Sequence, residues 1–392
     1  MQNFDYLIIG GGMACDAAVT GIREHDNHGT IGIISREEVP PYNRPPLSKA
    51  LWKGEPEDTV WRKTDDKKVT MILSRVAITI DRNNKTVWDN KDESYGYRKL
   101  LIATGGQVNR LSSSPEEIIY YRTFHDYKVL RDLTSTGDDF LVIGGGFIGS
   151  EIAAALTMIH KKVTLLFPQK GICEGIFPHS LSEFLNEYYR EKGVNVIPQD
   201  HVDQIKKIKN GYTIHTKAGL TFKVNGVVAG IGIKPDVSLA EKSGLLIDNG
   251  IKVNEFLQTS DADIYAAGDV ANFYNPVLDK CLRAEHEDNA NSMGRAAGKN
   301  MTGANMPYHY LSYFYSDLFD LGYEAVGDIH SGYEMVEQWK EKFKEGVIYY
   351  LHHGRVRGVL LWNTWNQVDH ARDLITETLK FNKKNVLNRL PT

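Results

Sequence analysis

Two glycine-rich turns, Gly10-Gly11-Gly12 and Gly144-Gly145-Gly146, each stand behind a short apolar run and ahead of a helix-forming stretch. Glycines so placed let a strand and a helix approach closely. They also leave backbone N–H groups at a helix N-terminus, where the partial positive charge of the helix meets a pyrophosphate. The chemistry this predicts is dinucleotide binding, twice. At the second turn Gly144, Gly146 and Gly149 fill all three positions of the pattern; at the first, Gly10 and Gly12 fit and Cys15 takes the third, its thiol small enough to pack at a helix–strand contact. An acidic residue about 20 positions further on ordinarily accepts the ribose hydroxyls. Here the first site offers Arg36, with Glu37 and Glu38 just behind, and the second offers Gln169 beside Lys170. A neutral amide next to a cation does not repel a 2′-phosphate, so NADH and NADPH both stay open.

The elements that must position these turns follow from the pattern of apolar residues. Tyr6 to Ile9, a helix from Met13 to about Glu24, and Ile31 to Ile34 read as one βαβ unit; Phe140 to Ile143, a helix from Phe147 to about His160, and Val163 to Leu166 read as another. The two are separated by a domain's length of chain. Between Val69 and Leu101 apolar and polar residues alternate around turn signals such as Asn83-Asn84, which predicts antiparallel strands. Two further apolar strands end in small-residue turns, Leu101-Ile102-Ala103-Thr104-Gly105 and Ile264-Tyr265-Ala266-Ala267-Gly268, the second followed by Asp269. From about Pro307 the aromatic content rises; Gly346 to Leu351 and Arg355 to Trp362 read as paired strands before a helix near Val368 to Leu379. The expected fold is α/β, with two Rossmann-like domains and a small α+β C-terminal domain.

A formal net charge of -4 gives the chain no general attraction to nucleic acid or anionic lipid. No apolar run approaches the roughly 20 residues that span a bilayer, and the sequence passes from Met1 straight into a strand without a basic or apolar leader, so the expected compartment is the cytoplasm. Cys15, Cys173 and Cys281 are too scattered for a redox pair or a metal cluster.

Taken in order, the two glycine turns, Ala103-Thr104-Gly105 and Gly268-Asp269 resemble the two-dinucleotide-binding-domain flavoproteins related to glutathione reductase. Pro41-Tyr42-Asn43-Arg44-Pro45-Pro46-Leu47-Ser48-Lys49 stands where the disulfide reductases of that group carry their cysteine pair. This segment, with Gly146-Phe147-Ile148-Gly149-Ser150-Glu151, Glu285-His286 and Phe314-Tyr315-Ser316-Asp317-Leu318, is similar to the apoptosis-inducing factor-like proteins and, more broadly, to the ferredoxin and rubredoxin reductases.

The resemblance implies an FAD-binding domain over 1–112 and 234–306, an NAD(P)H-binding domain over 113–233 and a C-terminal domain over 307–392. It implies FAD contacts from Gly10, Gly12, Cys15, Arg36, Glu37, Arg44, Lys49, Val76, Ala103, Thr104, Gly105, Arg122, Asp269, Glu285, His286 and Tyr315, the last standing where tryptophan is usual. For NAD(P)H it implies Gly144, Gly146, Phe147, Ile148, Gly149, Glu151, Gln169, Gly232 and Glu285, with Lys49 paired to Glu151 at the reacting centre. The activity implied is hydride transfer from NADH or NADPH to FAD and onward electron transfer to an iron–sulfur protein such as ferredoxin or rubredoxin, a quinone or oxygen. The alternative is a redox switch in which a lasting flavin–NAD charge-transfer complex brings about homodimerisation or recruits a partner.

Overall fold

The computed structural model describes residues 1–112, 114–115 and 117–392. Its helices are α1 (Met13–Arg23), α2 (Phe124–Thr134), α3 (Phe147–Met158), α4 (His179–Glu191), α5 (Ser238–Lys242), α6 (Glu287–Met301) and α7 (Val368–Thr376). Among the described residues no helix is long and apolar enough to cross a membrane. The chain forms two compact units, Met1–Asn43 with Asp58–Gln107 and Lys234–Tyr313, and Arg44–Glu57 with Val108–Ile233 and Phe314–Thr392.

The first unit is built on a sheet in which Thr70–Ile72, Ile31–Ile34, Gln2–Ile9 and Ser94–Ile102 lie side by side and parallel. The strand Ser94–Ile102 shares its far edge: its first residues pair antiparallel with Thr86–Asp89, and Leu100 to Ile102 pair parallel with Ile264–Ala266. The alternation between Val69 and Leu101 therefore predicts the antiparallel arm correctly but not the two ends. Thr70–Ile72 joins the parallel sheet, and Leu100, Leu101 and Ile102, all at 0% exposure, are apolar on both faces as a covered parallel strand must be. Helices α1 and α6 run parallel and nearly in backbone contact. A β-carbon on Gly294 would come 2.3 Å from the Ala14 carbonyl oxygen, and one on Gly298 2.1 Å from that of Ala18.

In the second unit Asn195–Ile197, Lys162–Leu166, Asp139–Ile143, Gly226–Ala229 and Ile119–Tyr120 form a five-stranded parallel sheet. A second sheet, antiparallel over Leu321–Gly327, Arg355–Trp362, Glu345–His352 and Glu334–Glu341, closes the chain. Phe177 docks it: its ring meets Tyr323 edge-on at 5.2 Å and Trp362 at 5.6 Å, while those two rings stack at 5.8 Å, and the Tyr350 hydroxyl donates to the Ile176 carbonyl at 2.6 Å. Helix α7 ends at Thr376 rather than near Leu379, because Glu377 turns extended (ψ 134°) and the Phe381 N–H is drawn to the Gly354 carbonyl at 2.6 Å. Leu379 is left 58% exposed.

Candidate nucleotide sites and a buried charge cluster

In the first unit the C-terminal ends of the parallel strands converge. Gly10 has φ +118°, and a β-carbon there would lie 2.2 Å from the Ala103 carbonyl oxygen, so only glycine lets the two turns touch. Gly12 caps α1 with no side chain bonded to the helix end and with open space where a β-carbon would go. Because Gly294 lies against Ala14 and Gly298 against Ala18, α1 and α6 run in the same direction, so the partial positive charge of both helices points the same way. Cys15 lies wholly buried in α1, and burial holds its thiol far above the ordinary range.

The remaining residues of this unit arrange themselves around that end. The Thr104 hydroxyl donates to the Asp236 carbonyl at 2.8 Å, and the Asp236 N–H donates to the Gly105 carbonyl at 3.0 Å. Asp236 also ion-pairs with Arg36 at 3.5 Å, although Arg36 is largely exposed. Glu37, half-buried, accepts the Tyr42 hydroxyl at 2.7 Å. Val76 sits in the loop that follows the edge strand, its N–H on Asn90 at 3.0 Å. Arg283 gathers the other cluster: one guanidinium nitrogen donates to the Asp269 carbonyl at 2.8 Å and pairs with Glu285 at 2.7 Å, next to His286 at the start of α6.

Burial pushes the His286 imidazole down to about 4, against a smaller opposing pull from Asp269. Asp16 of α1 is buried too, which raises its carboxyl, but Lys67 at 2.6 Å, Thr64 at 2.6 Å and Arg62 at 2.8 Å outweigh this and hold it below the ordinary value. The sign of both shifts is the same for acid stability. An unfolded histidine takes its proton near pH 6.5 while the folded one waits until about 4, so stability falls through that window as pH drops. The Asp16 contribution is lost below about pH 3.8, where the unfolded carboxyl protonates first. Thermal melts between pH 7 and 3 are expected to show this two-stage loss, and His286→Gln is expected to flatten the upper stage alone.

The second unit repeats the strand–turn–helix arrangement. Gly144 has φ +112°, with a would-be β-carbon 2.3 Å from the Gly230 carbonyl oxygen; a β-carbon on Gly149 would come closer still to the Gly144 carbonyl oxygen, at 1.8 Å. Gly146 caps α3 with no side-chain partner and open space ahead of it. Both turns thus lead into a helix N-terminus that no capping side chain occupies, with open space at Gly12 and Gly146, as a dinucleotide pyrophosphate requires. Phe147 is half-buried and tilts against Phe314 at 5.3 Å, Ile148 is exposed, and Gly232, φ +85°, accepts the Asn109 N–H at 2.9 Å. Gln169 and Lys170 stand exposed beyond the second strand, with the Lys170 N–H on the Glu174 carboxylate at 2.9 Å.

The same unit holds a buried ion pair. Glu151 projects from α3 with its side chain 4% exposed and meets the Lys49 ammonium at 2.7 Å. Two serines complete its shell: Ser316 donates to the same carboxylate oxygen at 2.5 Å, and Ser48 to the other at 2.5 Å. Lys49 in turn lies 5.3 Å from the centre of the Tyr315 ring. Arg44 reaches the Arg122 carbonyl at 2.8 Å, tying the 44–57 segment to the strand end before α2. Burial first and the Glu151 charge second push the nearby Cys173 thiol up to about 12, so it stays protonated. Sequence reasoning did not single out Ser48, Ser316, Asp236 or Asp16. Ser48 adjoins Lys49, but nothing local marks a serine 165 positions from its carboxylate.

Comparison with known proteins agrees with this arrangement. Residues 4–294 match the pyridine nucleotide-disulphide oxidoreductase family, and residues 297–341 and 332–377 match the C-terminal segment of apoptosis-inducing factor, mitochondrion-associated. The chain is 34% identical to mitochondrial apoptosis-inducing factor 1 of Dictyostelium discoideum, over 96% of this chain and 79% of that one. It is 32% identical to monodehydroascorbate reductase 2 of Arabidopsis thaliana, over 83% and 82%. The structure of putidaredoxin reductase in its covalent complex with putidaredoxin superposes with a TM-score of 0.89 at 27% identity, covering 97% of this chain and 94% of that one. With two nucleotide cradles in the expected order and no cysteine pair, the chain belongs to the pyridine nucleotide-disulphide oxidoreductase family, in its apoptosis-inducing factor-like branch, as an FAD-dependent NAD(P)H oxidoreductase.

Proposed function

We propose that the protein is an electron-transfer reductase that takes hydride from NAD(P)H and delivers electrons to a small iron–sulfur protein. The observation that carries this reading is the buried Lys49–Glu151 pair standing where a dithiol enzyme of the family would need cysteines. FAD, when bound, supplies the ring that accepts the hydride and passes electrons onward one or two at a time. The first unit's glycine turn, Thr104, Asp269 and the N-terminus of α1 bind and orient FAD. Gly144, Gly146 and α3 hold the pyrophosphate of NAD(P)H, Phe147 guards the nicotinamide face, and Lys49 supplies positive charge where negative charge develops. Likeness to a reductase captured with its putidaredoxin supports the acceptor class. Three free cysteines, Cys15 and Cys173 buried, support a reducing compartment such as the cytoplasm, although relatives include mitochondrial and peroxisomal proteins.

The match to the apoptosis-inducing factor C-terminal segment favours a second reading, a redox switch whose reduced form dimerises. Anaerobic mixing with NADH or NADPH followed by admission of air separates the two. Prompt bleaching and prompt recovery, accelerated by a ferredoxin, is the reductase result; a long-wavelength band that resists air, with a change in sedimentation, is the switch result. A colourless protein would refute both.

Gln169 and Lys170 bear on the choice of nucleotide. Their neutral-plus-cationic edge accepts a 2′-phosphate, so Gln169→Glu is expected to lower kcat/KM for NADPH about tenfold relative to NADH, the size of one charge–charge contact at an exposed site. Unchanged selectivity would show that the ribose is read elsewhere.

A further inference from the structure

The Glu151 carboxylate is acceptor-only when ionised, and three donors converge on it: the Lys49 ammonium and the Ser316 hydroxyl on one oxygen, the Ser48 hydroxyl on the other. Both serines are buried, at 1% and 6% exposure, so water does not substitute for either. Hydroxyl-to-carboxylate bonds of this length are charge-assisted and among the stronger hydrogen bonds in proteins. Their effect on the ion pair is specific. Each hydroxyl takes up part of the carboxylate's negative charge that would otherwise be answered by Lys49 alone.

We propose that Ser316 is a positioning residue: its hydroxyl, aided by that of Ser48, holds the Glu151 carboxylate and thereby sets how much of the Lys49 charge remains free to act. Ser316 comes from the Tyr313–Leu318 strand and Glu151 from α3, so the C-terminal sheet has a direct hold on the charge of the 44–57 segment within one compact unit. The inference rests on the reading that Lys49 serves the flavin. Without Ser316, the carboxylate leans on Lys49 more fully, and the outward field of the ammonium weakens.

The test is the midpoint potential of the bound flavin in holoprotein carrying Ser316→Ala, Ser48→Ala, Lys49→Ala, or Ser316→Ala with Lys49→Ala. Loss of one hydrogen bond to a charged group is expected to weaken stabilisation of the reduced flavin about tenfold, a fall of about 30 mV for a two-electron couple. In the Lys49→Ala background, Ser316→Ala is expected to move the potential no further. A Ser316→Ala protein that melts earlier but keeps the wild-type potential, while Lys49→Ala shifts it, overturns the proposal and leaves Ser316 as structural support. If Lys49→Ala itself leaves the potential unchanged, the role of Lys49 is what fails. Should Ser316→Ala not fold, Ser48→Ala, acting on the other oxygen, carries the same expectation and the same refutation.

Discussion

Lys49→Ala is expected to leave a yellow protein that bleaches about a hundredfold more slowly with NADH or NADPH. That factor is typical of removing one preorganised charge from a site where charge develops. The variant removes one partner of a buried pair, which ordinarily costs about 3–5 kcal/mol of stability because the other charge is left uncompensated. Here Ser48 and Ser316 still donate to Glu151, so the loss belongs at the lower end. The double replacement Lys49→Ala with Glu151→Gln separates the two consequences. It is expected to recover most of the melting temperature, since no buried charge remains, and none of the rate. Stopped-flow absorbance and thermal denaturation read the two effects, and a fast Lys49→Ala protein would remove Lys49 from the mechanism.

Gly10→Ala is expected to yield a protein purified nearly free of flavin. Its φ of +118° is one that alanine rarely adopts, at about 1–3 kcal/mol of strain, and the added carbon would also sit 2.2 Å from the Ala103 carbonyl oxygen. Relief requires the first turn to move away from the Ala103–Gly105 turn, opening the cradle the pyrophosphate needs. FAD affinity is expected to fall at least a hundredfold, measured by the ratio of flavin to protein absorbance and by titration with added FAD. Gly144→Ala makes the matching change in the second unit, where its carbon meets the Gly230 carbonyl oxygen at 2.3 Å. It is expected to give the opposite phenotype, a yellow protein that NAD(P)H cannot bleach. If both variants behaved like the wild type, the two turns would not be the nucleotide sites.

What was legible from residue order alone was whatever depends on short-range spacing. Gly10 and Gly12, or Gly144, Gly146 and Gly149, announce a strand–turn–helix because the constraint is local: a positive φ, a close backbone approach and a helix N-terminus within six residues. The same holds for the βαβ order and for the final hairpin, whose periods of two and of about 3.6 residues are written into neighbouring positions. The end of α7 was less legible, since it is decided by Gly354 drawing in Phe381 across a turn rather than by any residue within the helix. The antiparallel reading of the region before Leu101 failed at its ends because alternation describes a strand's faces, whereas the neighbour at each edge is chosen by chains that arrive from elsewhere, such as Ile264–Ala266.

The charge cluster divides in the same way. Lys49 and Glu151 could be matched as a pair only through resemblance to a family, and the two serines that bond to Glu151 left no trace in local pattern, because a serine is an ordinary residue at nearly any position. Burial turns those ordinary hydroxyls into determinants. Once Glu151 is 4% exposed, each remaining donor must come from the protein, and only the folded chain decides which side chains stand within hydrogen-bond reach. The sequence by itself determined which cofactor chemistry the chain can host, since that rests on local backbone geometry; the tertiary structure alone decided how the central charge is held, since that rests on contacts between segments far apart in the chain.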